Sequence, residues 1–244
     1  TKLTVAFKGL TGGHSGEEIN RGRANAITLM GRLLTALGRE VRVVSLAAEG
    51  KTNAISNNAT AELCVFTGRE ADVEARIRAL EAEFQAECGS RDNIHIELTR
   101  GSGLATCSVY DEATQNRVAS SLLLFPSGVM AMSYNVPDLV ETSSNPAILE
   151  QADAELKLAA CVRSSVGSRK TEMRARIAAL AKALGAKAVC DSDYPQWEYK
   201  PVSPLRDLAM GTYEELFNKK AEARAIHAGL ECGYFDVNVP GIDI

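Results

Sequence analysis

Two hydrophobic periods take turns along this chain. At the N-terminus Leu3, Val5 and Phe7 recur at every second position, the period of a half-buried strand. From 18 to 37 the apolar groups Ile19, Ala26, Ile27, Met30, Leu33, Leu34 and Leu37 fall at helical spacing, and Gly38 offers a C-terminal stop. The β-branched runs VRVVSLAA (41–48) and TAELCVFTG (60–68) read as strands. An amphipathic helix follows at 71–88, with Val73, Ile77, Leu80 and Phe84 on one face, and NIHIELTR (93–100) alternates cleanly as a strand. The order β-α-β-β-α-β predicts the split βαβ arrangement of a ferredoxin-like sandwich.

The pattern then nearly repeats. A helix fits 111–125, strands fit 128–135, 143–151 and 154–165, and a helix through Met173, Ile177, Leu180 and Leu184 ends before Gly185. AKAVCD (186–191) would close the second unit as a strand. The fold class is therefore α+β, with two successive βαββαβ units over about 1–103 and 104–195. Beyond them SDYPQWEYKPVSPL (192–205), rich in proline and aromatics, reads as a crossing between domains. A helix at 205–217 and the segment ARAIHAGLECGYF lack partners for a domain of their own and are expected to pack on something further.

Composition narrows the classes. With 244 residues, 45% apolar and 24% charged, the chain is that of an ordinary globular protein. A formal net charge of −4 gives no basic face for nucleic acid, and no apolar run approaches a membrane span. The six cysteines (64, 88, 107, 161, 190 and 232) include no C-x-x-C pair, and most sit in apolar strand or helix patterns; they are expected to be buried free thiols of a reducing cytosol. The chain starts on a strand without methionine and stops at PGIDI, which suggests a piece of a longer protein.

Candidate chemistry concentrates in GLTGGHSGEEI. His14, one of three histidines, sits in a loop with glycines at 9, 12, 13 and 16, and Ser15 with Glu18 forms an S-x-x-E capping box for the helix that follows. The G-x-x-G-G-x-x-G spacing is neither a dinucleotide fingerprint nor a Walker loop, and Glu17 and Glu18 would repel a phosphate. His14 is then either a loop residue bonded to backbone or a mobile donor to an anionic or developing oxyanion group. His227 and Glu231, four apart in IHAGLECG, would share a helix face if that stretch, interrupted by two glycines, is helical, and could be half of a metal site. No H-x-D, H-E-x-x-H or cysteine pair accompanies them, however. His95 reads as a strand residue. Arg163, ending a strand in CVRSS, is either paired structurally or free to grip a carboxylate. Asn53, in KTNAISN, either makes a turn or presents an amide at a binding edge.

Taken together, KGLTGGHSGEEINRGRANA, TNAIS, PSGVMAMS…LVETSSN, VRSS, DYPQWEYKPVSPL and IHAGLECGYF…PGIDI resemble, in order and spacing, the aminoacyl-histidine dipeptidases. These are cytosolic di-zinc exopeptidases of the aminoacylase/carboxypeptidase-G-like superfamily. The resemblance implies that residues 1–195 form a lid, able to dimerise, and that 196–244 form a returning part of an α/β catalytic domain. It implies two zinc ions, or other divalent metals, in the full-length enzyme and none held by this chain, which alone would be inactive. By position His14 matches the lid histidine that stabilises the tetrahedral oxyanion. Asn53 matches a lid asparagine facing substrate, although the family's arginine-proline context is replaced here by TNAISN. Arg163 matches the arginine that grips the dipeptide's C-terminal carboxylate, and His227 and Glu231 border the site on the substrate side. The implied partners are a dipeptide substrate, the missing catalytic segments and a second copy of the chain, with neither nucleic acid nor membrane, in the cytoplasm. The alternatives are the lid of a tripeptidase or aminoacylase, or a module that pairs through exposed sheet edges.

Overall fold

The computed structural model describes residues 1–101 and 108–244, so the expected boundary near 103 and Cys107 lie outside the described residues. The first hundred residues follow their hydrophobic periods closely. Strand β1 (Lys2–Lys8) turns Leu3, Val5 and Phe7 inward and leads into a loop. That loop includes the two-residue β2 (Gly13–His14) and one 3₁₀ turn, Ile19–Arg21. Helix α1 (Ala26–Leu37), β3 (Val41–Ala47), the short β4 (Ala54–Ile55), β5 (Ala59–Val65), α2 (Glu70–Cys88) and β6 (His95–Arg100) complete the unit.

The sheet runs β3-β5-β1-β6 with every neighbouring pair antiparallel. An irregularity between Val43 and Ser45 shifts the inward face of β3 from odd to even positions, so Leu46 joins Val41 and Val43 in the core. Helices α1 and α2 contribute to that same core, where Phe7 and Phe84 place ring centroids 6.0 Å apart in a tilted pair.

The predicted helix at 18–37 starts eight residues late, at Ala26. Asn25 supplies the N-cap, its Oδ1 accepting from Ile27 N at 3.0 Å and Thr28 N at 3.4 Å. The predicted capping box does not form, since the Ser15 hydroxyl is buried with no partner among the described residues and Glu18 bonds elsewhere. Gly22, in the left-handed region at φ 67°, ends the short 3₁₀ turn and separates it from α1. Asn25 also donates from Nδ2 to Asn145 Oδ1 (3.1 Å) and to the Pro146 carbonyl (2.7 Å). Asn25→Ala removes the cap and strands two buried acceptors. A loss of about 2 kcal/mol in urea unfolding is expected.

The second half departs further from expectation. Helix α3 (Glu112–Leu124) packs on α1. Strands β7 (Gly128–Met132), β8 (Val140–Ala152) and β9 (Glu155–Ser164) form an antiparallel sheet in that order, and α4 (Gly167–Ala183) follows. The expected closing strand at 186–191 does not form: these residues are solvent-exposed, Val189 included, and join no sheet. The face that Ala186, Ala188 and Cys190 would share is small, and Val189 falls between Lys187 and Asp191 on the other, so the segment has little apolar surface with which to hold a strand. Among the described residues the second unit runs α-β-β-β-α, with three strands between its helices where the expected βαββαβ order has two, and with no closing strand.

The two sheets meet where Ala48 and Leu149 exchange backbone bonds of 2.8 and 3.0 Å. Around that joint, side chains cover the outer edge of β3: Gln115 Oε1 accepts from Val43 N, and Gln151 Oε1 accepts from Leu46 N. Across the sheet, α2 covers the start of β6. Glu81 accepts from Ile96 N, Arg78 donates to the Ile96 carbonyl and Gln85 to that of Ile94. Helix α5 (Pro204–Phe217), capped by Ser203, buries none of its residues, and α6 (Cys232–Asn238) is short. Of the five described cysteines only Cys88 is buried, which corrects the expectation that most would be. No helix among the described residues is long and apolar enough to cross a membrane.

Candidate active-site face at the β2–β4 and β8–β9 junction

The site grows from a short ladder. His14 pairs with Ala54 across β2 and β4, and Ser15 N donates to the Asn53 carbonyl at 2.9 Å, so the His14 loop and the Asn53 turn lie side by side. The Asn53 side chain is exposed there. Asn145 Nδ2 donates to the Ala54 carbonyl at 2.8 Å and ties this ladder to β8.

The His14 ring has a defined tautomer. Its Nδ1 accepts from Glu17 N (3.1 Å) and Gly16 N (3.3 Å), and both bonds need a lone pair on that nitrogen. The ring proton therefore sits on Nε2, which has no hydrogen-bond partner among the described residues. His14 is thus both things the sequence allowed: bonded to backbone through one nitrogen and free to donate through the other.

The next strand brings a second histidine to the same place. Thr142, Ser143, Ser144 and Asn145 are all buried in the first half of β8, an unusual run of polar side chains for an interior strand. Ser143 Oγ lies 2.8 Å from His227 Nε2, and its cross-strand neighbour on β9 is Arg163. The His227 carbonyl packs so closely on Gly16 that a Cβ there would collide with it. His227 itself is 8% exposed, and its pKa falls to about 4. Burial is the main cause, with electrostatic repulsion from Arg163, and to a lesser extent from the nearby His14 ring, adding to it, while a bond to the Val140 carbonyl opposes. The ring is neutral at pH 7.

Arg163 is half-buried beside these rings. Its Nε is shielded from solvent and has no partner, and no carboxylate pairs with its guanidinium among the described residues. A buried guanidinium donor left open is costly unless a ligand fills it.

The structure thus brings His14, Arg163 and His227 together, with the Asn53 turn alongside. Glu231 behaves differently. Residues 221–230 are not helical, so His227 and Glu231 do not share a helix face. Glu231 is exposed where α6 begins, near Tyr194. Gly229, packed against the Tyr194 ring, is one of the two glycines that interrupt this stretch. Among the described residues no three His, Cys, Asp or Glu side chains converge as a metal site would require. Sequence reasoning missed Ser143 and Asn145, although four successive polar residues inside a strand pattern were the available signal. It also missed Asp92 and Arg23, which lie 78 and 9 positions from His14 and carry no local motif.

No family model matches the chain. It is 30% identical, over 245 residues, to the cytosol non-specific dipeptidase of Escherichia coli (strain K12), covering all of this chain and 50% of that protein. Among solved structures, the aminoacylhistidine dipeptidase from Vibrio alginolyticus superposes with a TM-score of 0.91 at 28% identity, covering 99% of this chain and 50% of that one. The chain spans about half the length of each. From end to end it is therefore a relative of the aminoacyl-histidine dipeptidases over about half their length.

Proposed function

We propose that this chain supplies the lid and a returning catalytic segment of a metal-dependent dipeptidase acting on Xaa-His dipeptides in the cytoplasm. Residues 1–195 would be the lid and 196–244 the returning segment. The strand order of the first unit supports a ferredoxin-like lid half. The apolar side chains that α5 leaves in solvent, among them Leu208, Leu216 and Phe217, support packing of the C-terminal segment on the rest of the enzyme.

The observation that carries the reading is the open guanidinium of Arg163 beside His227, whose carbonyl in turn lies against the loop that carries His14 with its donor nitrogen free. In this arrangement Arg163 takes the substrate's C-terminal carboxylate through charge-assisted bonds. His14 donates from Nε2 to the oxyanion that forms on the scissile carbonyl. Asn53, on the adjoining turn, faces the substrate, and Glu231 borders the cleft.

The resemblance also implies zinc or another divalent ion in the full-length enzyme. The described residues do not fit such an ion: no ligand set converges among them, and His227 Nε2 is engaged by Ser143. The metal ligands would belong to the half outside this chain, and the chain alone would not hydrolyse peptides. Homodimerisation through the lid belongs to the same reading. It would not use the outer edge of β3, which side chains already occupy.

A substrate comparison on the full-length enzyme tests the reading. Arg163→Met is expected to raise KM for a dipeptide about 10- to 100-fold, the worth of a charge-assisted contact, with little change for the same dipeptide amidated at its C-terminus. Equal losses on both substrates would remove Arg163 from carboxylate recognition. Preference for N-acylated amino acids or tripeptides over Xaa-His would move the enzyme to the related exopeptidases.

A further inference from the structure

The loop that carries His14 is held far more firmly than its glycines suggest. Its two ends are fastened by one buried carboxylate: Asp92 accepts from Thr11 N at 2.7 Å through Oδ1 and from Ala24 N at 2.8 Å through Oδ2. Next to that staple, Asn93 N donates to the Gly9 carbonyl at 3.1 Å. Inside the loop, residues 14 and 18 exchange two bonds. His14 N donates to Glu18 Oε2 at 2.8 Å, and Glu18 N donates to the His14 carbonyl at 3.1 Å.

This pair of bonds closes a ring around the turn in which Gly16 N and Glu17 N face His14 Nδ1. The same carboxylate is gripped from the far side of the loop by Arg23 Nη2 at 3.1 Å, while Arg23 Nη1 donates to the Gly12 carbonyl. Gly13, at φ +133°, leaves the room this clamp occupies, since a Cβ there would collide with both Arg23 and Glu18. Consistent with a carboxylate engaged this way, the Glu18 pKa is lowered, first by the His14 backbone bond and then by Arg23.

We infer that Glu18 and Asp92 are positioning residues for His14: Asp92 fixes the ends of the 11–24 loop, and Glu18, locked by Arg23, closes the turn that puts the imidazole proton on Nε2. The inference deepens the proposed role of His14 and rests on it for its catalytic meaning, but the positioning is visible without any reaction. A donor whose tautomer and direction are set before substrate arrives needs no reorganisation at the transition state. No proton or electron is transferred to Glu18 or Asp92; they act only through the loop.

The test reads the imidazole nitrogens directly, by two-dimensional proton–nitrogen NMR of this 244-residue chain at pH 7. The three histidines give few signals, and His227, fixed by Ser143, reports that the fold is retained. In the wild type His14 should show a single Nε2–H tautomer. In Glu18→Ala and in Asp92→Asn it should average between both tautomers, while His227 stays unchanged. If Glu18→Ala also disturbs His227, Glu18→Gln decides, since it keeps an acceptor for His14 N but loses the ion pair with Arg23. A partial shift of the His14 tautomer is then expected. A wild-type-like His14 tautomer in both Glu18 variants would overturn the inference.

A kinetic arm on the full-length enzyme separates this from the functional reading. Glu18→Ala should lower kcat about tenfold with KM within about twofold, as expected when only a transition-state donor is misplaced. If Glu18→Ala scrambles the tautomer yet His14→Ala leaves turnover intact, the positioning stands and the proposed catalytic role falls. If His14→Ala abolishes turnover while Glu18→Ala changes neither tautomer nor kcat, the reverse holds.

Discussion

Replacing His14 with alanine in the full-length enzyme is expected to lower kcat on an Xaa-His dipeptide by 10²–10³, about 3–4 kcal/mol, with KM little changed. The size follows from the chemistry of the free nitrogen. A neutral carbonyl oxygen in the bound substrate asks little of a donor, whereas the oxyanion that replaces it asks a great deal. A contact of this kind therefore appears in kcat and hardly in KM. The geometry favours a large value, because the loop is already ordered and the Nε2 proton is already in place. His14→Gln is the informative companion, since its amide can donate but is not held by Gly16 N and Glu17 N. It should recover only a small part of the loss. Steady-state kinetics on both variants, at a pH where the wild type is maximally active, check this. Unchanged turnover in His14→Ala would return the residue to a purely structural loop position.

The second large effect concerns acid. His227 is held neutral in the folded chain, with its pKa down at about 4 against an ordinary histidine value of 6.5. The unfolded chain therefore takes up the proton first as pH falls. Stability from this group is fully present above about pH 6.5 and drains away towards pH 4, at about 1.4 kcal/mol per unit and about 3 kcal/mol in all. Carboxylates titrate below pH 5 as well, so the wild type alone does not isolate the histidine. Urea unfolding of wild type and His227→Gln at pH 7, 6, 5 and 4.5 does. The wild type should lose stability steeply between pH 6.5 and 5, where the glutamine variant stays nearly level. Parallel curves would show that His227 is not the group responsible. Because its ring bonds Ser143 and its carbonyl lies against Gly16, protonation should also loosen the C-terminal segment from the His14 loop.

The first unit was legible because its elements bury one clean face each. Leu3, Val5 and Phe7 alternate against α1 and α2, while Val73, Ile77, Leu80 and Phe84 recur at helical spacing; local period and tertiary burial agree. Where they disagree, the reading slipped. Ile19 is buried and sits at helical spacing from Ala26, yet it belongs to a separate 3₁₀ turn because Gly22 and the Asn25 cap divide the stretch. The 186–191 strand failed for want of a large apolar face, and the stretch 226–233, where a shared helix face for His227 and Glu231 was conditional, is kept out of a helix by its two glycines and its lack of a buried stripe. At the site, His14, Arg163 and His227 could be picked from the sequence as chemistry-bearing residues. Their meeting could not, because it depends on the β2–β4 ladder and the β8–β9 register, contacts of very long sequence separation. Asp92 shows the limit most plainly. Nothing in SRDNIHI hints that this carboxylate collects two backbone amides from a loop some 70 to 80 residues earlier.

The side chains along the rims of the first sheet carry a consequence for the life of the chain in a crowded solution. An uncovered rim is a template on which a neighbouring molecule can lay down a strand, the first step toward fibrils and exchanged domains. Here Gln115 and Gln151 occupy one rim, and Glu81, Arg78 and Gln85 occupy the opening residues of the other, each with an intramolecular partner. An incoming strand must break those bonds before it can form its own. The glutamines and charges of α2 and its neighbours thus act as gatekeepers against polymerisation, a duty quite separate from anything the protein does to a substrate.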